Sequence, residues 1–217
     1  MDRLQNRADP TKLLSFGSYI ANLFDCGARY AGLRVFQPPV QQHVCEELNA
    51  ENLLECIQEF SSNRTLRPIY TENTFQWILN ALRGKRRLGK LIGRQVRKDD
   101  GQRLGYYLYY ANPNKMSQVL HVSGRTGNIG KILQELAYDA WTNGAVALSG
   151  WLDPYNAEEM ATHSSYLKYD YQTPLLIQST DPTVELAVGS GRAFLTPLEG
   201  EWSLWSHEGV IKSGGGP

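Results

Sequence analysis

The stretch with the clearest chemical potential is the corner Gly124-Arg125-Thr126-Gly127-Asn128-Ile129-Gly130, which joins an apolar run (Val119, Leu120, Val122) to a helical one. A strand, a glycine-rich turn and a helix N-terminus bring together backbone N–H groups without intrahelical partners and the positive end of a helix dipole. That combination suits an anion, phosphate above all. The phosphate-loop pattern GxxxxGK[ST] and the dinucleotide pattern GxGxxG are both absent from the corner. Asn128 stands at a position where positive φ would be tolerated, Asn being the non-glycine residue that best accepts it. Few titratable groups accompany the corner. His121 lies on the preceding strand, and the pair Glu158-Glu159 reads as the solvated face of a later helix near its N-terminus. Cys26, Cys45 and Cys56 form no CxxC pair and the four histidines have no ligand spacing, so no metal site is expected.

The elements that must position the corner follow from periodicity. Ile129, Ile132, Leu133, Leu136, Ala137, Ala140 and Trp141 share one helical face, and Asn143-Gly144 is a stop signal, so a helix spans 127–143. Upstream, Asn49 caps a helix carrying Leu53, Leu54, Ile57 and Phe60, and Thr71 caps another carrying Phe75, Ile78, Leu79 and Leu82. Val40–Leu48 is a modest strand. Strands at Leu88–Lys98 and Arg103–Ala111 flank the hairpin signal Asp99-Asp100-Gly101. Tyr106, Leu108 and Tyr110 alternate with Tyr107 and Tyr109, which marks a central strand packed on both faces, with hydroxyls at its edge. After the corner helix come a short buried strand at Ala145–Ser149, a helix capped by Asp153 with Pro154 at its first position, and strands at Tyr171–Ser179 and Gly191–Trp205. Residues 1–39 read as a connector with a helix, 40–207 as the main domain and 208–217 as a flexible tail.

Composition narrows the class. At 217 residues with 41% hydrophobic and 20% charged residues, the chain can bury a core of its own. A net charge of zero argues against a nucleic-acid binder, and the basic run Arg83, Lys85, Arg86, Arg87, Lys90 is too short to change that; it reads as a solvated connector. No apolar run long enough to cross a membrane and no apolar leader are present, so a cytoplasmic protein is expected.

The corner resembles the pyrophosphate loop of the GNAT acyltransferases, [R/Q]-x-x-G-x-[G/A], with Arg125 at the first position and Gly130 at the last; Asn128 stands where that family has Gly. The element order from Val40, β-α-α-β-β-β-α-β-α-β-β, is also that of the GNAT fold, an α/β (α+β) arrangement with a mixed, mostly antiparallel central sheet flanked by helices. The runs LLSFGSYIANLFDCGARYAGLRV, GYYLYYANP, DAWTNGAVALSG and LTPLEGEW are similar to the C-terminal module of two-module GNAT-like proteins. The resemblance implies acetyl-CoA or CoA as co-substrate. Its pantetheine arm would lie along Val119, Leu120, His121, Val122 and Ser123, and its diphosphate on Arg125, Thr126, Gly127, Asn128, Ile129, Gly130 and Lys131. An amine or hydroxyl acceptor, a small molecule or peptide, would attack the thioester directly. Tyr166 is the implied general acid with Tyr169 as its alternative, and His121 the weaker candidate base. The same resemblance allows a second outcome, a non-catalytic module serving binding or packing, with residues 1–39 seated on a second module or in a dimer.

Overall fold

The computed structural model describes residues 39–151, 153–163, 177–196 and 198. The chain divides into two units, Met1–Pro38 and Pro39–Pro217, and the described residues belong to the second. The expected connector helix, Tyr166, Tyr169, most of the strand placed at Tyr171–Ser179 and the tail lie outside the described residues.

Five strands form one sheet in the order β1-β2-β3-β4-β5: β1 Val44–Glu47, β2 Lys90–Arg97, β3 Arg103–Ala111, β4 Met116–Gly124 and β5 Ala147–Gly150. The first three pairings are antiparallel and β4·β5 is parallel, which gives the mixed, mostly antiparallel sheet expected. Helices α1 (Ala50–Phe60) and α2 (Glu72–Gly84) cover one face and α3 (Ile129–Thr142) the other. The predicted caps hold: Asn49 Oδ1 accepts the Asn52 N–H at 2.8 Å and Thr71 Oγ1 the Thr74 N–H at 3.2 Å. The hairpin turns at Gly101 with φ +83°. The helix after the corner begins two residues later than expected, at Ile129, and Asn143 and Gly144 end it, Gly144 with φ +81°.

Strand β3 is buried on both faces because it lies in the middle. Tyr106, Leu108 and Tyr110 enter the core under α1 and α2, and Tyr107 and Tyr109 enter the core under α3. Their hydroxyls are not at an edge as expected. Tyr110 donates to the Leu82 carbonyl at 2.9 Å, Tyr109 to Asp139 at 3.1 Å, and Tyr106 meets His121. Inside the sheet a phenol is stabilised by an internal partner, and of the four only the Tyr107 hydroxyl has no hydrogen-bond partner among the described residues.

Further differences from the sequence expectations follow. The strand placed at Ala145–Ser149 runs over Ala147–Gly150 and is exposed, since it is the outermost strand among the described residues. Between the last two expected strands stands a helix, α5 (Pro182–Gly189), capped by Asp181, whose Oδ1 accepts the Thr183 N–H at 2.9 Å. Of the strand placed at Gly191–Trp205 only 191–196 and 198 are described, and among the described residues that part forms an isolated parallel bridge, Leu66 to Ala193. On α3, Trp141 is 47% exposed, and the polar Glu135 takes a fully buried place on the packed face instead. Among the described residues no helix is long and apolar enough to cross a membrane.

Candidate functional site

Strand β4 carries one extra residue. Leu108 faces His121 and Tyr109 faces Val119, so Leu120 has no opposite number in β3. The bulge puts Leu120 and His121 on the same side, with Leu120 in the core under α1 and α2 and the His121 ring against Tyr106 and Phe194. Pairing with β5 covers Met116 to Val119 and stops there, where Gly150 lies so close that a Cβ would meet Val119 Cβ at 2.8 Å. Beyond that point the chain leaves β4 through Trp151. Among the described residues, Leu120 to Gly124 therefore have no ladder partner on the β5 side.

The unpaired half of β4 runs into the corner. Gly127, with φ +83°, makes the turn, while Asn128 has φ −121°; its expected left-handed geometry belongs to its neighbour instead. Gly130 lies in the first turn of α3 and is not among the positive-φ residues. Gly105 and Gly124 face each other across β3 and β4 beneath Ile132, which lets α3 sit close to the corner.

The corner holds an anion supplied by the chain itself. Helix α4 (Ala157–His163) follows a 3₁₀ turn at Pro154–Asn156 and carries Glu159. The two carboxylate oxygens of Glu159 accept from the Gly127 N–H at 2.8 Å and the Ile129 N–H at 2.6 Å. The sequence reading of Glu158-Glu159 as a solvated pair is thus corrected for Glu159. No local pattern reveals the contact, because its partners lie about thirty residues away. Arg125, half exposed, pairs with Glu59 of α1 at 3.1 Å, and Glu59 also pairs with Arg103 at 3.3 Å. Lys131 Nζ donates to Asn128 Oδ1 at 3.1 Å.

His121 is buried. Its Nδ1 lies 2.7 Å from the Tyr106 hydroxyl and its Nε2 has no hydrogen-bond partner among the described residues. Donation by the phenol to Nδ1 leaves one orphan, an Nε2–H; the opposite arrangement orphans both the phenol proton and a bare Nε2. The first is favoured because each buried unpaired group is costly. Burial, aided by the nearby Arg64 charge, pushes the imidazole down to about 3, so it is neutral. His121 lines a gap of about 20 Å³ together with Val119, Val122, Trp151, Met160 and Thr196.

Arg64, in the turn after α1, is a residue the sequence reading missed. Its guanidinium makes a two-pronged pair with Asp153, at 3.2 Å to Oδ1 and through Nη2 to Oδ2, and lies 3.8 Å from the centre of the Tyr155 ring. Asp153 also accepts from the Tyr155 N–H and the Asn156 side chain, at 3.1 and 2.9 Å. This cluster ties the loop after α1 to the chain leaving β5. The basic run at 83–90 is elsewhere: Arg83, Arg86 and Lys90 border a cleft of about 410 Å³ at the far end of β2 from the corner.

No protein-family profile matches the chain, and no characterised protein matches it in sequence. In three dimensions it is similar to a Trypanosoma brucei acetyltransferase (14% identity, TM-score 0.45, 63% of this chain and 100% of that one). It is also similar to a ribosomal-protein-alanine N-acetyltransferase from Brucella melitensis biovar Abortus 2308 (16%, 0.44, 64% and 100%). A third similar structure is a glucosamine-6-phosphate N-acetyltransferase from Arabidopsis thaliana (9%, 0.42, 65% and 100%). The likeness is one of overall fold; what the site can do is read from this chain's own residues.

Proposed function

We propose that the chain is an acyltransferase that moves an acetyl or other acyl group from CoA to an amine or hydroxyl acceptor. The observation that carries this reading is the continuity of two features. Among the described residues, the half of β4 from Leu120 to Gly124 has no ladder partner on the β5 side, and it leads into a corner whose N–H groups converge on an anion. Backbone left open beside a strand suits an amide-containing arm, and the converging N–H groups suit a diphosphate. When bound, the coenzyme supplies an activated thioester. The N–H groups of Thr126 to Lys131 other than that of Asn128, which donates to the Arg125 carbonyl at 3.0 Å, would hold its diphosphate, with Arg125 turning from Glu59 to add a charge-assisted contact. His121 serves better as a donor to the acyl oxygen than as the base expected from the sequence. A neutral imidazole held at about 3 takes up a proton poorly near pH 7, whereas its Nε2–H is already formed. In the transfer the acceptor's lone pair would form the new bond to the acyl carbon, the acceptor would release its proton to solvent, the C–S bond would break and the departing sulfur would take a proton. Tyr166 and Tyr169 remain the candidates to supply that proton.

A second reading, a non-catalytic module, is favoured by the gap beside β4. Trp151, Met160, Leu195 and Thr196 close it to about 20 Å³, room for about one water. An acyl arm enters only if these residues move outward. Calorimetric titration with CoA and acetyl-CoA separates the readings. Binding, weakened about ten- to a hundredfold by Arg125→Ala, is expected of the transferase, from the loss of one hydrogen bond to a charged group. No heat at millimolar coenzyme leaves the non-catalytic module.

A further inference from the structure

The corner is not an open anion seat. Gly127 and Ile129 point their N–H groups at the two oxygens of one carboxylate, and that carboxylate belongs to Glu159. Geometrically the contact is what a two-oxygen edge of a phosphate would make. Any incoming anion therefore meets two donors that are already satisfied. It gains only the difference between its own contacts and those of Glu159, and it must move α4 or rotate the Glu159 side chain to make them. We propose that Glu159 is an internal competitor for the corner, a carboxylate latch that sets the affinity and the charge requirement of whatever anion binds there. The inference rests on the reading of the corner as an anion site. Beside the corner, His121, nine-tenths buried and with Nε2 unpartnered among the described residues, lines the adjoining gap.

Two consequences follow from the chemistry. A monocarboxylate offers no more charge than Glu159 and is not tethered, so it loses the competition. A diphosphate carries more charge and more acceptor oxygens, so it can win. The latch also lies on the same stretch as the gap. Met160 is the next residue after Glu159 and lines the space beside β4. Where Glu159 is displaced by a shift of α4 and not by rotation of its side chain alone, the same movement disturbs one wall of the gap that the acyl arm has to enter.

The test uses the full chain and two variants, Glu159→Gln and Glu159→Ala, with inorganic pyrophosphate and CoA as separate probes. Affinities come from calorimetry, occupancy of the corner from the amide resonances of Gly127 and Ile129, and folding from thermal melts without ligand. If the latch holds the resting corner closed in all but a few per cent of molecules, removing it raises apparent affinity about tenfold or more, because apparent affinity scales with the open fraction. Both variants lose melting temperature without ligand, since Ala leaves the two N–H groups without an acceptor and Gln keeps only one oxygen and turns an NH2 donor toward the other N–H. Opposite signs for affinity and stability are the signature of a latch; a merely structural glutamate would lower both. Equal pyrophosphate affinity in wild type and variants, or no response of the two amides to either probe, overturns the latch. Tighter pyrophosphate binding by the variants without any CoA binding upholds the latch and removes the transferase reading.

Discussion

At the scale of single residues, one buried imidazole and one ion pair carry charge consequences that can be measured. His121 is neutral in the fold and pushed down to about 3, against an ordinary value of 6.5, because burial disfavours the imidazolium. The unfolded chain therefore takes up a proton below about pH 6.5 that the folded chain refuses until about pH 3. The stability from this residue is complete above the unfolded value and is lost as pH falls through that window, by up to about 1.4 kcal/mol per pH unit. His121→Asn should flatten the pH dependence of urea unfolding between pH 6 and 4 relative to wild type; an unchanged slope would mean the ring is solvated in solution. Arg64 and Asp153 form the other case, with side chains 1% and 12% exposed. Removing Arg64 leaves the largely buried Asp153 carboxylate without its opposite charge, though still hydrogen-bonded to Tyr155 and Asn156, so Arg64→Ala should cost about 3 kcal/mol in chemical denaturation, the low end for a broken buried pair. Arg64→Met with Asp153→Asn should cost less than the two single changes added together, because neither charge is then left unpaired.

At the scale of elements, the approach of α3 to the sheet depends on the facing glycines of β3 and β4. A Cβ on Gly105 would meet Ile132 Cδ1 and the Ser123 carbonyl oxygen, and would come within 2.7 Å of Gly124 Cα. The first obstacle is the end of a side chain and can move. The other two are backbone of the neighbouring strand and can yield only if the strands part. Gly105→Ala should therefore destabilise by about 1–3 kcal/mol, and adding Ile132→Val should not restore the loss. Full recovery in the double variant would show that only the side chain stood in the way. The corner that the pair supports depends on it too, since the Arg125 N–H donates to the Leu104 carbonyl at 3.0 Å, beside Gly105.

At the scale of the whole described unit, Glu135 joins the entry to β1 to the middle of α3 across more than ninety residues. One oxygen accepts the Gln42 and His43 N–H groups at 2.8 and 2.9 Å and faces His43 Nδ1 at 3.1 Å. The other lies 3.7 Å from Cys45 Sγ. Burial, then the charge of Glu135, pushes the Cys45 thiol up to about 12, which makes it unreactive near neutrality. Glu135→Ala should cost about 2–4 kcal/mol, because it orphans both N–H groups and leaves a cavity. It should also speed alkylation of Cys45 by iodoacetamide at pH 8, read by peptide mass spectrometry. Unchanged Cys45 labelling with lowered stability would place the effect in the helix alone.

Read from the chain alone, local patterns settled most of the frame. Asn49 and Thr71 cap helices where expected, Asp-Gly turns the hairpin, the β3 tyrosines divide between two cores, and the corner opens α3. These depend on neighbours within a few residues or on a period of two or 3.6, and a sequence displays both directly. Helix α5 escaped because its eight residues show no amphipathic period, and the exposure of β5 escaped because an edge position is a property of the sheet. The site was legible as a backbone shape but not as a set of side-chain contacts. That Glu159 sits in the corner, Asp153 on Arg64, Glu135 under β1 and Tyr106 on His121 depends on contacts between residues 15 to 93 apart. Such pairings arise when the sheet and its two helical layers close, and burial then decides which groups stay charged, which stay neutral and which must find a partner.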